Sequence, residues 1–181
     1  MIIDIRGTHG SGKSTCVHYL IKKYENKCYR DKTLDVHFHF MPEFNLIIVG
    51  KYRNQCGGAD GVNGVDRIQA IIEKYDERGY NVLVEGILVS HTFERWHQFA
   101  TGRNYVFVHL EPSVETCIKH VQKRRVESGK PPEFNTKNLE KDHRQISRTV
   151  AKLAAEGHDV RFLGARKEAW LYVEGLLKGE K

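Results

Sequence analysis

The chain opens on an apolar run, Met1 to Ile5, broken only by Asp4. A parallel strand covered on both faces needs such a run. From Lys13 to Lys27 the period changes. Cys16, Val17, Leu20, Ile21 and Tyr24 recur at helical spacing and make one apolar face. Leu34 to Phe40 alternates at period two and predicts a second strand, with His37 and His39 on one face, as polar residues of its outer side or as a ligand pair. Phe44 to Val49 predicts a further short strand, an antiparallel addition or hairpin partner.

Helical spacing returns from Val65 to Arg78, where Ile68, Ile71, Ile72 and Tyr75 share a side and Gly79 suits the C-terminal cap. Asn81 to Gly86 predicts a buried strand ending in the acidic Glu85. Thr92 to Ala100 predicts a helix and Tyr105 to Leu110 a strand. Pro112 and Ser113 then open a helix reaching Glu127. Gly129, Pro131 and Pro132 break the pattern between Ser128 and Asn135. A helix over 138–156, a strand over 159–163 and a helix over 167–177 complete the chain.

Strands alternating with helices imply an α/β fold with right-handed crossovers and a mainly parallel sheet covered on both faces. No repeat, low-complexity tract or linker divides residues 1–181, so one domain is expected. Ligands of such sheets lie beyond the carboxyl ends of the strands. That rule brings the first loop, Glu43, the glycine-rich stretch Gly50 to Gly64, Glu85 and Glu111 toward one expected cleft.

The first loop carries the decisive motif. Gly7-Thr8-His9-Gly10-Ser11-Gly12-Lys13-Ser14 has the P-loop spacing, and it lies between a strand and a helix as that motif requires. Its glycines let backbone N–H groups close around an anion, and the helix that follows adds the positive end of its dipole. Lys13 is placed for the β- and γ-phosphates, Ser14 for Mg²⁺, and Thr15 for a further hydroxyl near the α-phosphate.

Composition narrows the setting. Apolar residues at 40% and charged residues at 29% suit a soluble globular domain rather than a disordered one. No apolar run approaches a bilayer span, and no signal peptide precedes the first strand, so the expected location is the cytoplasm, a host's if the source is viral. Cys16, Cys28, Cys56 and Cys117 form no CxxC pair and read mostly as buried reduced thiols. The histidines form no HExxH, so no protein metal centre is expected. A net charge of +6 keeps a polyanionic substrate in play.

A base-reading motif of the GTPase kind is absent, since Thr136-Lys137-Asn138-Leu139 lacks the aspartate, and Val82 to Gly86 matches a motor ATPase strand only loosely. The chain instead resembles the P-loop nucleoside and nucleotide kinases over nearly its whole length. Gly7 to Thr15 carries the resemblance first. Val108-His109-Leu110-Glu111-Pro112-Ser113, leading through a helix to Lys123-Arg124-Arg125, carries it next. The glycine- and proline-containing segment after those arginines completes it. Within the family, Lys51-Tyr52-Arg53 and Cys56-Gly57-Gly58-Ala59-Asp60, together with Val84-Glu85-Gly86-Ile87-Leu88-Val89-Ser90, look like the phage 5-hydroxymethyluracil DNA kinases.

The resemblance implies a three-layer P-loop kinase fold. Its sheet would be mainly parallel and five-stranded, with helices on both faces and a short lid at about residues 124–137. It implies ATP and Mg²⁺, and DNA containing a modified pyrimidine as substrate. The alternatives are a kinase of a free nucleoside or nucleotide and an ATPase module without an acceptor.

Arg124 and Arg125 then read as lid arginines, or as a solvated basic helix end. Asp60 is the first candidate for the base that takes the acceptor proton, or a turn former. Glu85 is tied to Mg²⁺ through water, or is the base if Asp60 is not, or is purely structural. Lys51, Tyr52, Arg53, Arg67, His91, Phe93, Arg95 and Trp96 are the expected substrate contacts, with core packing the competing account of Phe93 and Trp96. Arg161 to Arg166 resembles the seat of the adenine.

Overall fold

A computed structural model of the chain describes residues 1–53 and 57–180; Asn54, Gln55, Cys56 and Lys181 lie outside it. Seven strands form one sheet in the order β2-β3-β4-β5-β1-β6-β7. They are β1 (Ile2–Arg6), β2 (Lys27–Asp31), β3 (Val36–Met41), β4 (Leu46–Val49), β5 (Asn81–Glu85), β6 (Tyr105–Leu110) and β7 (Asp159–Leu163). The helices are α1 (Lys13–Lys23), α2 (Val65–Asp76), α3 (Ile87–Ser90), α4 (Phe93–Ala100), α5 (Val114–Glu127), α6 (Thr136–Ala155) and α7 (Arg166–Lys178).

The expected five-stranded sheet is corrected to a mixed sheet of seven strands. The run from β4 through β5, β1 and β6 to β7 is parallel throughout. β3 is antiparallel to β4, and β2 is antiparallel to β3, so a hairpin widens the sheet at one edge. No strand was expected over β2, of which only Lys27 fell within the expected first helix. Four of its five residues are exposed, so no apolar pattern marks it as a strand.

The antiparallel course of β3 also removes Glu43 from the expected cleft. The turn carrying Glu43 joins the end of β3 to the start of β4, and Asn81 at the start of β5 donates its backbone N–H to Asn45 O at 2.9 Å. Glu43 therefore sits at the amino end of the parallel strands, opposite the P-loop.

Helices cover both faces, with an apolar layer on each side of the sheet. One layer holds Ile2, Val82, Val84, Phe107 and Trp96 with α2 and α4. The other holds Ile3, Ile5, Leu83, Val106 and Val108 with α1 and α7. The alternation along β1 follows the strand period. Asp4 and Arg6 share the first layer, both fully buried. Arg6 donates from Nε and Nη2 to Asp4 Oδ2 at 2.9 and 2.8 Å, and Tyr105 donates its hydroxyl to the same oxygen at 3.0 Å. A buried pair of this kind is costly to break because one charge is left uncompensated. It stands immediately before Gly7.

Glu174 ties α7 to α1. Its carboxylate accepts from Lys23 Nζ at 2.6 Å, from the Tyr24 hydroxyl, and pairs with Lys178 Nζ at 2.9 Å. Of the cysteines, Cys16 and Cys117 are buried, whereas Cys28 is exposed on the edge strand β2. Among the described residues no helix is long and apolar enough to cross a membrane.

Candidate active site

The P-loop connects β1 to α1 at the carboxyl end of the sheet. Its turn at Gly10 has φ of +78°, and a Cβ there would stand 2.4 Å from the carbonyl oxygen of Cys117 on α5. No residue larger than glycine fits both demands. Lys13 is buried, and its Nζ donates to Gly7 O at 2.7 Å and Thr8 O at 3.1 Å. Burial lowers the Lys13 pKa, while the carboxylates of Glu85 and Asp60 act against that shift.

The loop fits a triphosphate. The buried Ser11 Oγ has no hydrogen-bond partner. Gly12 supplies no side-chain cap to α1, whose first turn carries no acid, so its N–H groups and dipole face the loop. His9 and Thr15 stand exposed on the loop and first turn. Thr8 donates its hydroxyl to Leu139 O on α6 at 3.4 Å, and the His120 ring contacts Gly10 O at 2.8 Å. Neither tie was legible in the sequence, because both partners lie more than a hundred residues away.

Beside the loop, Ser14 donates its hydroxyl to Glu85 Oε1 at 2.9 Å. Glu85 ends β5 with 1% exposure. Burial pushes its carboxyl up to about 7, against the pull of Lys13 and the Ser14 hydrogen bond. A hydroxyl and a carboxylate in contact at the mouth of a P-loop form an oxygen-donor set that suits Mg²⁺.

The glycine-rich loop rides directly over this carboxylate. Gly58 has φ of +78°, and a Cβ on it would lie 2.4 Å from Glu85 Oε1. Tyr52 is buried with φ of +45°, and its hydroxyl faces the Glu85 carboxylate. His39, expected on a polar outer face, is buried and bridges Asn26 Oδ1 at 2.8 Å and Lys51 O at 2.9 Å. It thereby fastens the hairpin to the start of the loop.

Asp60 occupies the other flank of Glu85. Its two carboxylate oxygens accept the N–H groups of Ile87 at 2.9 Å and Leu88 at 3.0 Å. It therefore caps α3, a helix of four residues too short to show a period in the sequence.

The two arginines expected in a lid diverge. Arg124 stands close enough to His9 and Lys13 to lower the pKa of both. Arg125 turns away, donating from Nε to Pro131 O at 2.7 Å and lying 6.0 Å from the Phe134 ring centroid. The segment 128–135 connects α5 to α6, inside the range expected for a lid.

The expected substrate contacts scatter. Lys51 and Arg53 are exposed at the start of the glycine-rich loop, and Arg67 is exposed on α2. His91 faces Asp142 Oδ1 at 3.4 Å, and Phe93 stacks on His97 at 5.3 Å between ring centroids. Arg95 is held by Asp66 at 2.5 Å and Gln69 at 3.2 Å, between α2 and α4. Trp96 has no exposed surface and packs edge-on to Phe99 in the core. Arg166, in the segment matched to the adenine seat, has its Cβ within reach of Gly12. Glu43 and Trp96 are thus set apart from the group formed by Lys13, Ser14, Tyr52, Asp60 and Glu85.

The model of the family described as 5-hmdU DNA kinase matches residues 1–153 of the chain. The chain belongs to that family. It is a kinase, a phosphotransferase, and the family implies use of ATP. Its relatives include the 5-hmdU DNA kinase of Pseudomonas phage PaMx11, 33% identical over 86% of both chains. The 5-hmdU DNA kinase of Pseudomonas phage M6 is 30% identical over 88% of both. A solved structure of deoxyadenosine kinase from M. mycoides aligns over the whole of both chains at 15% identity and a TM-score of 0.48.

Proposed function

We propose that this kinase transfers the γ-phosphate of ATP to the hydroxymethyl oxygen of 5-hydroxymethyluracil in DNA. The names of the phage relatives support the acceptor. The observation that carries the chemistry is the contact between Ser14 and the buried Glu85.

In this reading the P-loop backbone, Ser11 and Lys13 hold the triphosphate. Ser14 would hold Mg²⁺ through its hydroxyl oxygen while its proton goes to Glu85, which stays outside the direct ligands, and the metal would supply charge neutralisation at the phosphates. The hydroxymethyl oxygen forms a bond to the γ-phosphorus as the bond to the ADP oxygen breaks. The acceptor proton passes to Glu85, whose raised pKa suits it to receive one near neutral pH. Arg124 neutralises charge on the transferring group. Asp60 shapes the site by capping α3, and its carboxylate oxygens are already engaged by backbone N–H groups.

Transfer of labelled phosphate from ATP tests the proposal. Label is expected in DNA containing 5-hydroxymethyluracil and not in DNA containing thymine. Label confined to a free nucleoside overturns the DNA acceptor while leaving the kinase.

A further inference from the structure

α6 carries a single-sign face. At 100° per residue, Lys137, Lys141, Arg144, Arg148 and Lys152 fall within an arc of about 80°. All five are exposed. The opposite side of the helix buries Leu139, Ile146, Val150 and Leu153. The two acids of the helix lie off the arc, and Asp142 is turned toward His91.

Some cations elsewhere in the chain find acids: Arg30 pairs with Asp35, Lys74 with Asp31, Arg95 with Asp66, and Arg103 with Glu73. Lys137, Lys141, Arg144 and Arg148 form no side-chain ion pair among the described residues. Lys152 lies 5.8 Å from the Phe93 ring centroid. Like charges kept in one stripe repel one another, and that cost is offset when a polyanion lies along them.

The helix that carries the stripe packs against the site through its opposite side. The inner face of α6 packs Ile146 and Val150 on Ile87 of α3. Thr149 donates its hydroxyl to His91 O at 3.3 Å, and Leu139 O receives Thr8 of the P-loop. From Lys137 to Lys152 the helix rises about 22 Å. That length matches roughly six successive phosphates of one strand of a duplex, at about 3.4 Å each along the axis.

We propose that the outer face of α6 is the track on which the sugar–phosphate backbone of the acceptor DNA lies, fixing its register beside α3. The proposal rests on the reading that the acceptor is DNA. It assigns these side chains to positioning rather than to base recognition.

The test neutralises the middle of the stripe in the full chain, with Lys141→Gln, Arg144→Gln and Arg148→Gln together. Glutamine keeps helix propensity, so the fold is retained. Phosphate transfer is measured on a 5-hydroxymethyluracil duplex over a range of salt, with the KM for ATP alongside. The KM for DNA is expected to rise about tenfold or more, and the dependence of log KM on log salt to flatten by about 2 to 3. The turnover at saturating DNA and the KM for ATP stay unchanged.

An unchanged KM and salt slope, with wild type active on DNA, overturns the track and leaves the acceptor. Wild type that labels only free nucleoside overturns the acceptor, and the track with it. Loss of ATP binding in the variant also overturns the track, because the residues then serve the nucleotide site or the fold.

Discussion

Ser14 and Glu85, seventy-one residues apart in the chain, share a hydrogen bond of 2.9 Å at the carboxyl end of the sheet. The contact exists because β1 and β5 are neighbours, with Ile5 paired to Glu85. It sets the P-loop hydroxyl against a carboxylate with almost no exposure.

Glu85→Gln keeps the size and the Ser14 contact and removes the proton acceptor. It is expected to lower turnover by about a hundredfold or more while ATP still binds. Asp60→Asn is expected to cost less turnover and more stability, by about 1 kcal/mol, because it weakens the cap of α3. Single-turnover kinetics and thermal melts of both variants check this. A larger turnover loss for Asp60→Asn reverses the assignment.

The same carboxyl makes two pH predictions. As a base it must be ionised, so kcat/KM for the acceptor should fall about tenfold per pH unit below about 7 and level off above. For stability, the folded pKa of about 7 lies above the ordinary value of 4.5. The contribution is whole below 4.5 and is lost as pH rises through about 7. Glu85→Gln should therefore gain on wild type between pH 5 and 8, by roughly 3 kcal/mol. Denaturant titrations at both pH values measure it, and a constant difference rejects it.

Gly58→Ala would drive a methyl group against Glu85 Oε1 and force φ of +78° on alanine. It is expected to abolish transfer and to cost about 1 to 3 kcal/mol. Normal activity in that variant would show that the loop does not stand over Glu85.

Arg124 and Arg125 should separate. Arg124→Ala is expected to lower turnover by about a hundredfold or more, as removal of a charge on the transferring group does. Arg125→Ala should leave turnover within a few fold and lower the melting temperature, since Arg125 holds Pro131 O. Equal effects on turnover would refute the division.

Glu174 governs the acid limb of stability. Its neighbours Lys23 and Tyr24 hold its carboxyl down to about 2, below the ordinary 4.5. Its contribution is present above 4.5 and is lost as pH falls toward 2. Glu174→Gln should destabilise the protein at pH 7 and flatten the fall in melting temperature between those limits. An unaltered acid limb would exclude this linkage.

The strands that are buried on both faces were legible in the sequence. β6, a mostly apolar run buried throughout, has the expected limits; so does β7, an exposed edge strand, which was legible from Val160 and Phe162 at period two between Gly157 and Gly164. The P-loop was legible because its spacing is itself the mechanism. β2 was not, because an exposed edge strand shows no apolar alternation. α3 was not, because four residues show no period, and with it went the capping role of Asp60. Trp96, an aromatic ring among cations, read equally as a substrate contact or as core, and the core encloses it. Adjacent arginines in a sequence gave no sign that one faces Lys13 and the other Pro131. The histidine pair His37 and His39 looked solvated, although His39 anchors a loop.

The salt bridge between Asp4 and Arg6 has a consequence for alignment. Both side chains point into one apolar layer, so sliding β1 by a single residue would drive an ion pair into the other. That penalty acts as a ratchet tooth on the central strand. It holds the phosphate loop at one height relative to the end of β5, so the distance between nucleotide and proton acceptor is set in the interior, away from solvent.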